Sequence, residues 1–255
     1  MTGIGGIGGI GGIGGIGGIG GIGGIGGIGG IAGPDASDGP MFADAVIRSR
    51  DGIVGSLPEE DPAVVTRWAP WVRAATIDFE LKSRIGFTAA PAASVPPPPR
   101  RMDVWHLEVA AGTTVGAAPA ATYRPLFSIT KPTDTTFKAQ VELVNDYAQL
   151  RLDRASEILA QMDGSVGFFG AIARLDPDRN KRTLEMLAAT LRLAMFVHLR
   201  IKHALACRRP IEFSPKIQPM IATPGHGALP SGHATESFAL AVVLWNVMRD
   251  SGNPA

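Results

Sequence analysis

The chain has 255 residues, with 24 Lys and Arg against 23 Asp and Glu, so its formal charge is +1. That balance excludes the basic footprint of a nucleic-acid binder, and the single cysteine, Cys207, excludes both an intramolecular disulfide and a thiolate metal cluster. No uninterrupted apolar run reaches the roughly 18 residues of a membrane span, and no segment has the charged start, apolar core and small-residue cleavage site of a secretory signal. A soluble, cytoplasmic protein is expected, with its state of assembly left open.

Residues 3–31 repeat Gly-Ile-Gly with a period of three. The repeat lacks the proline that stiffens a collagen helix, and isoleucine at every third place suits neither a helix nor a strand. Residues 1–33 are therefore expected to be a disordered low-complexity leader. Residues 34–136 read as a region of helices and loops. A short helix is expected near Met41–Ser49. Asp61-Pro62 then opens a helix reaching about Ile85, since Asp is a good N-cap and Pro suits the first helical position. Val64, Trp68, Trp71, Ala75 and Phe79 recur at helical spacing and are predicted to be core. Pro96–Pro99 mark a stiff linker over 91–101, and Val104–Thr136 gives no clear element.

From Phe137 onward the pattern is helical, and 137–255 is expected to be a partial helical domain. Phe137, Val141, Val144, Ala148, Leu152, Ala155, Leu159 and Met162 form one stripe. After the break at Gly164–Gly170, a short helix over Phe168–Leu175 stops at Asp176-Pro177. A long helix then runs from Asp178 to Cys207, with Leu184, Leu187, Leu191, Ala194, His198 and Lys202 on one face. Prolines 210, 215, 219 and 224 punctuate a loop, and a last helix runs from Ser231 through Met248. The predicted fold class is mainly α, a helical bundle.

Four of the five histidines, His198, His203, His226 and His233, fall in the last quarter of the chain. Two constellations surround them. The first is Lys202-x6-Arg209-Pro210. Lys202 shares the face of the apolar stripe, and an inward ammonium requires an anion or a backbone acceptor. Arg209 precedes a proline, which tends to end a helix and leaves a loop to bring the guanidinium fork to an oxyanion. Taken alone, the two cations would equally suit a helix C-terminus. The second is Pro230-Ser231-Gly232-His233 at the start of the final helix, where free amides favour an anion. Ser231 would donate to it or cap the helix, Gly232 would let the backbone approach, and His233 would move a proton.

Together these residues resemble the first two motifs of the type 2 phosphatidic acid phosphatase and vanadium haloperoxidase superfamily, over roughly Arg182–Met248. The resemblance implies a helical bundle whose pocket holds phosphate or vanadate through Lys202, Arg209, Ser231 and Gly232, with His233 as the acid–base residue. The family's third motif, Ser-Arg-x5-His-x3-Asp, does not follow before Ala255, so the vanadium-ligand or nucleophilic histidine is not in the sequence and no metal ligand is assigned. A truncated product or fragment is expected.

Among the branches, His226 lies seven residues before His233, resembling a histidine that brominating haloperoxidases place near the halide. The expected function is thus haloperoxidase-like, with vanadate as cofactor and hydrogen peroxide and halide as substrates. The alternatives are a soluble acid phosphatase acting on phosphomonoesters without a cofactor, and an inactive helical binding module. His198, one turn before Lys202, is either a satisfied core histidine or a support for the site; His203 and Cys207 are expected to be structural.

Overall fold

The computed structural model describes residues 64–89, 101–110, 120–162 and 165–251. The Gly-Ile repeat, the expected helix near Met41–Ser49 and the proline run lie outside the described residues. In chain order the elements are α1 (Pro70–Ser83), β1 (Ile85–Ala89), β2 (Arg101–Val109), β3 (Ala121–Thr130), α2 (Asp134–Ala139), α3 (Val141–Tyr147), α4 (Ala155–Gln161), α5 (Val166–Ile172), α6 (Lys181–Leu205) and α7 (Gly232–Asp250), with single 3-10 turns at Val65–Arg67, Ala148–Leu150 and Pro210–Glu212. The three strands form one antiparallel sheet in the order β1-β2-β3. The fold is therefore mixed α and β, which corrects the expectation of a mainly helical bundle. No helix among the described residues is long and apolar enough to cross a membrane.

The chain divides into two compact units, Met1–Ile77 with Ala160–Glu185 and Asp78–Leu159 with Met186–Ala255. In the first unit, besides the apolar Val166 and Leu184, a charge cluster is buried. Arg73 is 7% exposed. Its guanidinium donates to Glu185 through Nε (3.2 Å) and Nη2, and to the carbonyl of Trp68 through Nη1. Arg182 joins from the other side, donating to Glu185 Oε2 at 2.8 Å and to the Thr66 carbonyl at 2.8 Å. A buried guanidinium needs this many acceptors, and satisfying them fixes which face of α1 turns inward. The predicted tryptophan stripe is consequently not core: Trp71 and Phe79 are 75% and 69% exposed. The helix also starts later than expected, at Pro70, which supplies the preferred first-position proline in place of Pro62.

In the second unit, β2 carries the core. Met102 and Val104 point to one face, 2% and 1% exposed, and pack with Ile201 and Leu205 of α6 and with Cys207. Ile85, Phe87 and Ile129 from the flanking strands and Ala228 and Leu229 from the loop before α7 close over the same cluster. The β2–β3 register shifts between Val104 and Trp105, where Trp105 faces Pro125 and Val104 faces Phe127. An edge strand with a bulge is where a sheet tolerates proline, because the missing N–H is not owed to a second neighbour.

The stripe predicted over Phe137–Met162 breaks into α2, α3, a 3-10 turn and α4. Thr133 caps α2, its hydroxyl accepting from the amide of Thr136 at 3.2 Å. Leu152, Leu159 and Met162 are 90%, 51% and 51% exposed, so the period there marks no buried face. In α6 the period does mark one, since Leu184, Leu187, Leu191, Ala194, His198 and Lys202 are all buried. The helix ends at Leu205 and is followed by Ala206, whose φ of 45° is left-handed and whose amide donates to the Lys202 carbonyl at 2.9 Å. Left-handed alanine is strained where glycine is not. Ala206→Gly is therefore expected to raise stability by about 0.5–1 kcal/mol, measured by urea denaturation.

Candidate functional site

Every residue singled out in the sequence lies in the second unit, around the C-terminal end of α6 and the loop that leads to α7. Lys202 is the largest fully buried side chain there, 2% exposed. Its ammonium donates to the carbonyls of Gly227 at 3.1 Å and Ala228 at 3.4 Å, leaving one N–H for another acceptor. The loop is held at this height by the Ala228 amide, which donates to the Cys207 carbonyl at 2.9 Å. Gly227 is pressed so close that a Cβ would lie 2.8 Å from the Lys202 carbonyl oxygen. Burial, reinforced by the nearby charge of Arg209, pulls the Lys202 pKa down to about 8, against the weaker opposing effect of Glu236 and Cys207.

Arg209 stands in extended backbone before Pro210, and its amide donates to Glu212 Oε2 at 2.6 Å. Its side chain turns back onto the loop. Nε donates to the His226 carbonyl at 2.9 Å, and Nη2 lies 2.9 Å from His226 Nδ1. A guanidinium only donates, so Nδ1 accepts and the imidazole carries its hydrogen on Nε2. The Gly227 carbonyl, 3.2 Å from the same Nδ1, is then a competing partner available only when Nδ1 is protonated. Burial holds the His226 pKa below its usual value; the Gly227 contact opposes this, and the charges of Lys202 and Arg209 and the proximity of His198 add to it.

Pro230-Ser231-Gly232-His233 begins α7. Ser231 is the N-cap, its Oγ accepting from the Ala234 amide at 3.3 Å, which leaves its hydroxyl proton to donate elsewhere. Gly232 faces His198: an added Cβ would sit 3.4 Å from Cε1 and 3.5 Å from Nε2 of that ring. His198 is 4% exposed, and its Nε2 lies 2.8 Å from Glu236 Oε1. The carboxylate accepts, so a hydrogen is on Nε2, and the buried Nδ1 has no partner among the described residues. His233 is exposed on the first turn of α7, and His203 is exposed on α6.

The structure thus brings Lys202, Arg209 and His226 together along the loop at 226–228, and His198 and Gly232 together beside Glu236. Glu236 was not among the residues picked from the sequence. Its signal was available, because it is the only acidic residue between Glu212 and Asp250 and stands two residues before the apolar run Phe238–Trp245. No protein-family model, curated protein or solved structure matches the chain.

The close approach at Gly227 generates a test. Gly227→Ala is expected to lower stability by about 1–3 kcal/mol, because backbone rather than a flexible side chain must give way. Gly225→Ala, whose methyl would meet nothing within 4 Å, is the matched control and should change stability little. Chemical denaturation of the two variants checks both outcomes.

Proposed function

We propose that this chain is an oxyanion-binding protein of the vanadium haloperoxidase and type 2 phosphatidic acid phosphatase kind, haloperoxidase-like in its chemistry. The observation that carries the reading is Lys202, a buried ammonium with one donor to spare, set beneath a loop that joins Arg209's partner to the N-terminus of α7. Lys202 and Arg209 supply positive charge, Ser231 a hydroxyl proton, and Gly232 a first-turn amide with no side chain in the way. Such donors suit a tetrahedral oxyanion and are fixed before it arrives, which is the condition for strong electrostatic stabilisation.

Vanadate fits this donor set as an anion held by charge and hydrogen bonds, and when bound it would act as a Lewis acid that activates peroxide, the oxidant, toward halide. Neither motif contains the imidazole that the resemblance assigns to the vanadium itself. What the chain's own residues do is bind and orient the anion, while His233, exposed at the helix start, exchanges a proton with the ligand. With a phosphomonoester in the same place, His233 would protonate the leaving alcohol.

Sulfate is the cleanest probe, since its charge does not change between pH 7 and 10. Lys202→Ala and Arg209→Ala are each expected to weaken sulfate binding about tenfold or more, as loss of a charge-assisted hydrogen bond requires. Unchanged affinity in both variants, measured by calorimetry, would sink the reading. Peroxide-dependent bromination against phosphomonoester hydrolysis, each assayed with and without added vanadate, separates the two chemistries.

The pH dependence has a definite sign. Lys202 is charged below about 8 and loses its proton above it. Sulfate affinity should therefore hold near pH 7 and fall above about 8, levelling off at the affinity of Lys202→Ala. In Lys202→Met the profile should be flat over that range; calorimetric titrations at stepped pH make the comparison.

A further inference from the structure

We propose that His226 is a positioning residue for Arg209, its carbonyl oxygen and ring Nδ1 forming a two-point clasp that aims the guanidinium at the Lys202 loop. Only the use made of the aimed cation rests on the oxyanion reading; the clasp itself does not.

Arg209 needs such a clasp. It stands just before Pro210, in extended backbone beyond the end of α6, where no helix fixes its side chain. Glu212 holds its amide and not its guanidinium. The two bonds at 2.9 Å, from Nε to the His226 carbonyl and from Nη2 to Nδ1, come from adjacent nitrogens of the fork and are received by one residue. This geometry sets both the position and the plane of the guanidinium, whereas a single bond would let it swing. The N–H groups not used in the clasp stay available for a ligand.

The clasp holds only while Nδ1 is an acceptor. The groups facing His226 are Lys202 and His198 from α6, Arg209 beyond it, and the Gly227 carbonyl. Glu212 and Glu236 are each bonded to another partner, Arg209's amide and His198. Burial, together with the charges of Lys202 and Arg209, disfavours the imidazolium against the opposing Gly227 contact, so Nδ1 stays an acceptor near neutral pH. Protonation would turn Nδ1 from the guanidinium toward the Gly227 carbonyl, the one that Lys202 also uses, and leave Arg209 with only the Nε bond to the His226 carbonyl, free to swing about it.

Three variants test this in the full chain. In His226→Asn the side-chain oxygen stands where Nδ1 stood; in His226→Gln it reaches the position of Nε2; in His226→Phe the ring remains and the acceptor is gone. The first readout is rotation of the Arg209 Nη groups by nitrogen-detected NMR, which needs no anion. It should be slow in wild type and His226→Asn and fast in His226→Gln and His226→Phe. Acidification through the imidazole range should speed it in wild type but not in His226→Asn.

The second readout is sulfate affinity. It is expected within about twofold of wild type in His226→Asn and weakened about fivefold or more in His226→Phe, as for a lost charge-assisted bond. On an Arg209→Ala background, His226→Phe should add nothing. Should His226→Phe fail to fold, the Asn and Gln pair carries the test alone. Nη rotation that is alike in wild type, His226→Asn and His226→Gln overturns the clasp, whatever sulfate does. A wild type that shows the NMR pattern but binds no sulfate upholds the clasp and removes the oxyanion reading.

Discussion

The arrangement of the second unit follows from one constraint, that the ammonium of Lys202 is buried and must be satisfied. A charge so placed is costly unless acceptors surround it, and the sequence provides them from the backbone rather than from an acidic partner. The carbonyls of Gly227 and Ala228 come within reach only because the loop lies directly on the last turn of α6. That contact demands a residue without a side chain at 227 and a tether at 228, and both are present. Met102 and Val104 pack against Ile201 and Leu205 from the sheet. The end of α6 is thereby held between apolar strands and a polar loop, and Lys202 cannot swing outward to water.

Using backbone acceptors has an electrostatic result. A carboxylate partner would have neutralised Lys202 and kept its pKa high. Carbonyl dipoles stabilise the ammonium less than a full opposite charge would, so burial and Arg209 together draw the pKa down. The one carboxylate of α7's first turns, Glu236, is bonded to His198 instead. Glu236 therefore offsets the charge of Lys202 only in part, less than burial and Arg209 act against it, and positive potential remains for an incoming anion.

How much of this was legible in the sequence differs by element. The buried face of α6 could be read from Leu184 to Lys202 because one helix carries the whole period and no turn interrupts it. The same reasoning failed over Phe137–Met162, where short helices change direction and an unbroken period no longer means an unbroken face. The sheet was missed for two reasons. Pro125 in β3 hid an edge strand, and the alternation of Met102 and Val104 with Asp103 and Trp105 in β2 was too short to stand out beside the prolines before it. In α1 the apolar period pointed to Trp71, but the demands of Arg73 and Glu185 decided the inward face. At the candidate site, Lys202, Arg209, Ser231, Gly232 and His233 could be chosen by motif. The His226 clasp and the His198–Glu236 pair depend on how the loop folds back, which spacing along the chain does not encode.

Cys207 lies where that loop is fastened down. Its carbonyl receives the Ala228 amide, its thiol is 2% exposed, and burial pushes its pKa up. As the chain's one thiol, it is shielded from alkylating reagents for as long as the loop and the β2 side chains stay packed over it, and is open to them only when that packing opens. The rate at which this sulfur is modified is therefore a clock for local opening, built into the wild-type chain and read without a label, a ligand or an assay of activity.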